Sequence, residues 1–136
     1  MKPRVLLVTA ALWSAVAAAA AAADPTDAQI DAAFAKADTD KNGTLSQAEA
    51  KKFGITAEAF TKANPDKDGS LDKKEFLAAI KDQFEKANPD KDGTLDRKEA
   101  VKAGVKSKKT FDAANPDNDG TLDLAEYLQA LSAQMK

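Results

Sequence analysis

Oxygen donors recur at the same six places in four segments of this 136-residue chain. The segments are DTDKNGTLSQAE at 38–49, NPDKDGSLDKKE at 64–75, NPDKDGTLDRKE at 88–99 and NPDNDGTLDLAE at 115–126. The donors in the first are Asp38, Asp40, Asn42, Thr44, Ser46 and Glu49, and in the second Asn64, Asp66, Asp68, Ser70, Asp72 and Glu75. The third offers Asn88, Asp90, Asp92, Thr94, Asp96 and Glu99, and the fourth Asn115, Asp117, Asp119, Thr121, Asp123 and Glu126. Such a set suits a hard cation: side-chain oxygens at positions 1, 3 and 5, a backbone carbonyl at 7, a polar side chain at 9, and a glutamate at 12 that can grip with both oxygens.

A glycine stands at the sixth position of every copy (Gly43, Gly69, Gly93, Gly120), where the loop must turn sharply around one ion and a Cβ would resist the backbone. This is the EF-hand pattern. Leu45, Leu71, Leu95 and Leu122 at the eighth position are expected to point inward and join loops through a short strand contact. A single acidic, glycine-containing segment could be a solvated turn, but four copies with matched positions exclude that reading.

The rest of the composition narrows the chemistry. With neither Cys nor His, the chain lacks thiolate and imidazole ligands, and with them ordinary zinc sites. The usual nucleophiles and general bases are missing too, so the expected class is a binding protein and not an enzyme. The negative charge is gathered in the four loops while lysines sit between them. That acidity is directed at ions, and nucleic acid is excluded as a partner.

Lys2 and Arg4 precede an apolar run from Val5 to Ala23 that contains no acidic residue and ends in alanines before Asp24. The run is expected to be a signal peptide, residues 1–23, cleaved after Ala23, leaving 24–136 as a four-hand domain in the periplasm or outside the cell with no membrane attachment. Removing Lys2 and Arg4 from the 20 basic side chains leaves 18 against 22 acidic ones, net −4.

The elements that must position the loops are helices, and the fold class expected is all-α, with four helix-loop-helix motifs in one compact domain. Phe34, Phe60, Phe84 and Phe111 each lie four residues before a loop, with Ala37, Ala63, Ala87 and Ala114 just before it, which places a Phe and an Ala on the core face of each entering helix. After the loops, Phe76, Leu77 and Ile80 follow the second and Tyr127, Leu128 and Leu131 the fourth, while the first and third continue into EAKKFG and EAVKAG. Strong and weak exits thus alternate. The first loop begins 50 residues before the third and the second 51 before the fourth, which marks an internal duplication. Gly54 matches Gly104, and Thr56 and Ser107 are expected to cap fresh short helices. Residues 76–87 contain neither Gly nor Pro and are expected to form one helix shared by hands two and three.

Only 14, 12 and 15 residues separate successive loops, too few for two average helices of about 11 residues each. This spacing, together with Pro65, Pro89 and Pro116 at position two and Asp72, Asp96 and Asp123 at position nine, resembles lanmodulin and its relatives, the periplasmic lanthanide-binding EF-hand proteins of bacteria. The resemblance covers residues 30–131 and implies selective binding of lanthanide(III) ions, in association with lanthanide-dependent alcohol oxidation. The chain departs from the family's usual pattern with Asn at position one of hands two to four, and with Thr39 and Ser46 in hand one, which reads as an ordinary calcium loop.

Charge weighs on the same side. Hands two to four carry four carboxylates each and hand one carries three. At 2.4 Å and an effective dielectric of 20, one extra metal charge gains about 7 kcal/mol of gross attraction per carboxylate, against a larger dehydration cost. The expected function is a lanthanide chaperone, buffer or sensor whose folding is coupled to metal. The alternative is a Ca2+-binding buffer or interaction module, with a dockerin-like structural role and a Met-rich sensor role both less suited to these residues. A metal-dependent homodimer and a periplasmic protein partner are further expectations.

Overall fold

The structure is a computed structural model that describes residues 24–135. The apolar run from Val5 and the cleavage point expected after Ala23 lie outside the described residues. Within the described residues no helix is long and apolar enough to cross a membrane.

The chain folds into seven helices and four two-residue strands among the described residues: α1 (Asp27–Ala37), β1 (Leu45–Ser46), α2 (Gln47–Phe53), α3 (Ala57–Ala63), β2 (Ser70–Leu71), α4 (Lys73–Ala87), β3 (Leu95–Asp96), α5 (Arg97–Lys102), α6 (Lys108–Ala114), β4 (Thr121–Leu122) and α7 (Leu124–Gln134). The expected helix over 76–87 is present as the last part of α4, which begins earlier because Asp72 caps it and accepts the Glu75 N–H. At 1.5 Å per residue α4 is about 22 Å long. Thr56 and Ser107 cap α3 and α6 as the sequence indicates, accepting the Ala59 and Thr110 N–H groups.

The strands decide which hands pair. β1 runs antiparallel to β2 with Leu45 opposite Leu71, and β3 to β4 with Leu95 opposite Leu122, so hand one pairs with two and hand three with four. All four leucines are fully buried, each stabilising the joint by about 1.5–3 kcal/mol relative to exposure.

The two halves interlock. α1 packs against α7 and against α4, so the first helix closes onto the last. Phe34, Phe60, Phe84 and Phe111 and the alanines that follow them all enter the core. The exit helices differ in length as expected, but the short ones and the connectors after them bury more than their sequence suggests: Phe53 at the end of α2 is fully enclosed, and Ile55 and Val105 are buried as well. Conversely Leu77 is only partly buried, because α4 presents Phe76, Ala79 and Ile80 to the core.

The duplicated halves differ in this part of the core. In the first half Phe76 meets Phe34 and Phe53 edge to face, with centroids 5.5 and 5.2 Å apart. In the second half the counterpart of Phe53 is Ala103, and the counterpart of Phe76 is Tyr127, whose hydroxyl donates to the Ala103 carbonyl at 2.6 Å. A polar tie stands where the other half has a third ring.

Candidate metal centre

Each loop is organised by the same local bonds. The residue at position one ends the entering helix: Asp38 has ψ 81° and Asn64, Asn88 and Asn115 have ψ of 71–72°, out of the helical region. At position three, Asp40, Asp66, Asp90 and Asp117 each accept the N–H two residues ahead, at 3.2–3.4 Å. At position five, Asn42, Asp68, Asp92 and Asp119 accept both the N–H and the hydroxyl of Thr44, Ser70, Thr94 and Thr121 at position seven. These short-range bonds fold the acidic side chains into the loop before any ion is considered.

Position four is a feature that the sequence reading missed. Lys41, Lys67, Lys91 and Asn118 adopt left-handed backbone with φ of 56–58°, two residues before the left-handed glycines. Only Asn118 carries a signal for it, since Asn tolerates that conformation and Lys does so at a cost.

Positions nine and twelve form the start of the exit helix. Ser46, Asp72, Asp96 and Asp123 are N-caps that accept the N–H of Glu49, Glu75, Glu99 and Glu126, and each cap N–H in turn donates to the glutamate's carboxylate. The aspartates at position nine therefore commit one oxygen to the helix as well as standing in the loop.

The hands then part company. In hand one every carboxylate is engaged. Asp38 accepts the Asn42 N–H at 3.1 Å and the Gly43 N–H at 2.8 Å. Glu49 accepts five hydrogen bonds: from the Thr39 N–H and hydroxyl and the Asp40 N–H on Oε1, and from the Ser46 N–H and hydroxyl on Oε2. The Ser46 N–H foremost, against the opposing effect of burial, holds the Glu49 carboxyl down to about 2. Asp38, Asp40 and Glu49 bring carboxylate oxygens within 4.8 Å of one another. Burial, with the neighbouring Asp38 carboxylate, pushes Asp40 up.

In hands two to four the buried head of the loop is unsatisfied. Asn64, Asn88 and Asn115 are only 5–7% exposed, and the Oδ1 of each lacks a hydrogen-bond partner among the described residues. A buried carbonyl left bare costs about 1–3 kcal/mol. The same oxygen on a cation would recover it, so the residues fit a hard ion bound at these positions. Among the described residues the carboxylates of Glu75, Glu99 and Glu126 accept only the cap N–H, on Oε2 at 2.8–2.9 Å. Burial first, then the charges of Asp123, Asp117 and Asp119, pushes Glu126 up to about 7.

Two glutamines, also missed from the sequence, tie exit helices to the connectors between hands. Gln83 on α4 accepts the Thr56 N–H and donates to the Gly54 carbonyl and the Tyr127 hydroxyl. Gln134 on α7 accepts the Lys106 N–H and donates to the Gly104 carbonyl. Each lies eight residues beyond the last glutamate of its loop, a repeat that was visible in the sequence but carried no chemical cue.

The EF hand family model matches residues 30–53, which span most of α1, the first loop and α2. No curated protein matches the chain. A homolog of programmed cell death 6 protein from Leishmania major Friedlin, of known structure, is 20% identical over 74% of this chain and 69% of that one, with a TM-score of 0.33. A crystallised C-terminal domain is 18% identical over 92% of this chain and 84% of that one, with a TM-score of 0.34. Four helix-loop-helix segments, the first of them in the span matched by that family model, give the described residues a compact helical fold of the EF-hand kind.

Proposed function

We propose that the protein binds trivalent lanthanide ions in hands two to four and serves as a carrier, buffer or sensor of them, without catalysis, in the periplasm or outside the cell after loss of residues 1–23. The observation that carries ion binding there is the row of buried Oδ1 atoms on Asn64, Asn88 and Asn115, each without a partner at the head of a loop. What supports a trivalent ion is charge: each of these loops carries four carboxylates, such as Asp66, Asp68, Asp72 and Glu75, against three in hand one. Binding would also consolidate the fold, because ligands on both sides of a loop are drawn together by one ion.

A competitive titration of lanthanum(III) against calcium tests this. Lanthanum should bind three sites well below micromolar and displace calcium, with a gain of helix in far-ultraviolet circular dichroism. Comparable affinities for the two ions would sink the lanthanide reading.

A calcium reading is favoured at hand one by its own observations. That hand has three carboxylates, Thr39 and Ser46 in place of proline and aspartate, and the span matched by the EF hand model. Metal-linked pairing of two molecules is a further part of the proposal. Asn at position one leaves hands two to four one charge short, which ligands from a second chain would offset.

A further inference from the structure

Hand one differs from the others in what holds its last ligand. The Thr39 N–H donates to Glu49 Oε1 at 2.9 Å and the Thr39 hydroxyl donates to the same oxygen at 3.0 Å. Position two in the other hands is Pro65, Pro89 or Pro116, which has no N–H and no hydroxyl to give. Accordingly Oε1 of Glu75, Glu99 and Glu126 accepts no hydrogen bond among the described residues, while Glu49 Oε1 accepts three. The first ligand follows the same division, since Asp38 has both oxygens bonded within the loop while the Asn Oδ1 atoms have no partner.

We propose that Thr39 is a latch that sets the affinity of hand one: it occupies the glutamate oxygen that a cation needs for a two-oxygen grip, so hand one fills after the proline-bearing hands. This rests on the reading of the loops as cation sites and is independent of which ion they prefer. A cation entering hand one must first break charge-assisted hydrogen bonds to Glu49, which are about twice as strong as neutral ones. Entering hand two, it finds the glutamate already free on that side. Proline can replace threonine without redirecting the chain, because Asp38 has ψ 81°, close to the 71° of Asn64 before Pro65.

The test separates the latch from the charge difference, since Thr39→Pro leaves all three carboxylates of hand one in place. The amide resonances of Gly43, Gly69, Gly93 and Gly120 report one hand each, and can be followed in 15N-labelled whole protein during titration with lanthanum(III) alone and with calcium alone. In the unmodified protein Gly43 should shift last. Thr39→Pro should tighten hand one about tenfold or more, equivalent to 1.4 kcal/mol, bringing Gly43 closer to the others. Thr39→Ala, which keeps the N–H, should give a smaller gain, and Pro65→Thr should delay Gly69. These two variants carry the test if Thr39→Pro does not fold. Filling of hand one in step with the rest, or an order unmoved by all three substitutions, would overturn the latch. Equal affinities for lanthanum and calcium with the expected reordering would sink the lanthanide reading and leave the latch standing.

Discussion

Hand one and hands two to four share a backbone and differ in how they treat the same oxygens. In hand one the loop satisfies itself: Asp38, Asp40 and Glu49 are drawn together and bonded to N–H groups and hydroxyls of their own segment. In hands two to four the buried Asn oxygens are left bare, and the glutamates are bonded on one side only. A loop of this kind can thus bond its oxygen donors within its own segment or leave them bare, and the residues at positions one and two differ between the two cases.

The largest change should come from restoring charge at position one. Replacing Asn64, Asn88 and Asn115 with Asp adds a fourth side-chain charge to the set at positions 1, 3, 5 and 12 of each loop. Each site should gain about tenfold or more in lanthanum affinity by calorimetry, while the metal-free protein loses thermal stability through repulsion of buried carboxylates. Unchanged affinity would show that the amide oxygens do not touch the ion.

Next in size is the triple change of Asp72, Asp96 and Asp123 to Ser. Ser46 already caps α2 in hand one, so the helices keep their caps while each loop falls to three carboxylates. The preference for lanthanum over calcium should shrink by about tenfold, with hand one least affected. A preference that stays the same would move the source of selectivity away from charge.

Acid and base should separate the hands in opposite directions. Glu49, held down to about 2, contributes stability present above its ordinary value near 4.5 and lost as pH falls through about 2. Glu126, pushed up to about 7, has the reverse sign: in the metal-free fold its contribution is lost as pH rises from about 4.5 to 7. Metal binding at hand four should therefore release a proton near pH 6 and tighten as pH rises toward 7. Calorimetry in buffers of different ionisation enthalpy measures that proton, and its absence would contradict the burial of Glu126.

The smallest effect concerns the bridge between halves. Tyr127→Phe removes a buried hydroxyl bonded to Ala103 and Gln83 and should cost about 1–2 kcal/mol in denaturant unfolding of the metal-free protein. Ion affinities should stay within a few-fold. A change in affinity as large as that of the charge substitutions would mean that the bridge shapes the loops themselves.

Much of the site could be read along the chain because its causes are local. Turn glycines, the caps at Thr56 and Ser107 and the Phe and Ala before each loop act over a few residues, whereas the capping role of Ser46, Asp72, Asp96 and Asp123 emerged only from the structure. Leucine at position eight was legible as buried, because a short apolar side chain in a polar loop has nowhere else to go. The left-handed lysines at position four were not, since Lys carries no preference for that backbone.

The sequence by itself determined the number of hands, the oxygen-donor types at their positions, the duplication and the continuous helix between hands two and three, all consequences of spacing and short-range chemistry. Only the tertiary structure decided that hand one pairs with two and three with four, that Phe53 on a short exit helix is fully enclosed, and that Gln83 reaches both the Gly54 connector and Tyr127. It also decided that Thr39 meets Glu49 ten residues away. These contacts depend on how helices close on one another and how a loop curls back on itself. No residue type announces such a contact until the fold has brought its partner within reach.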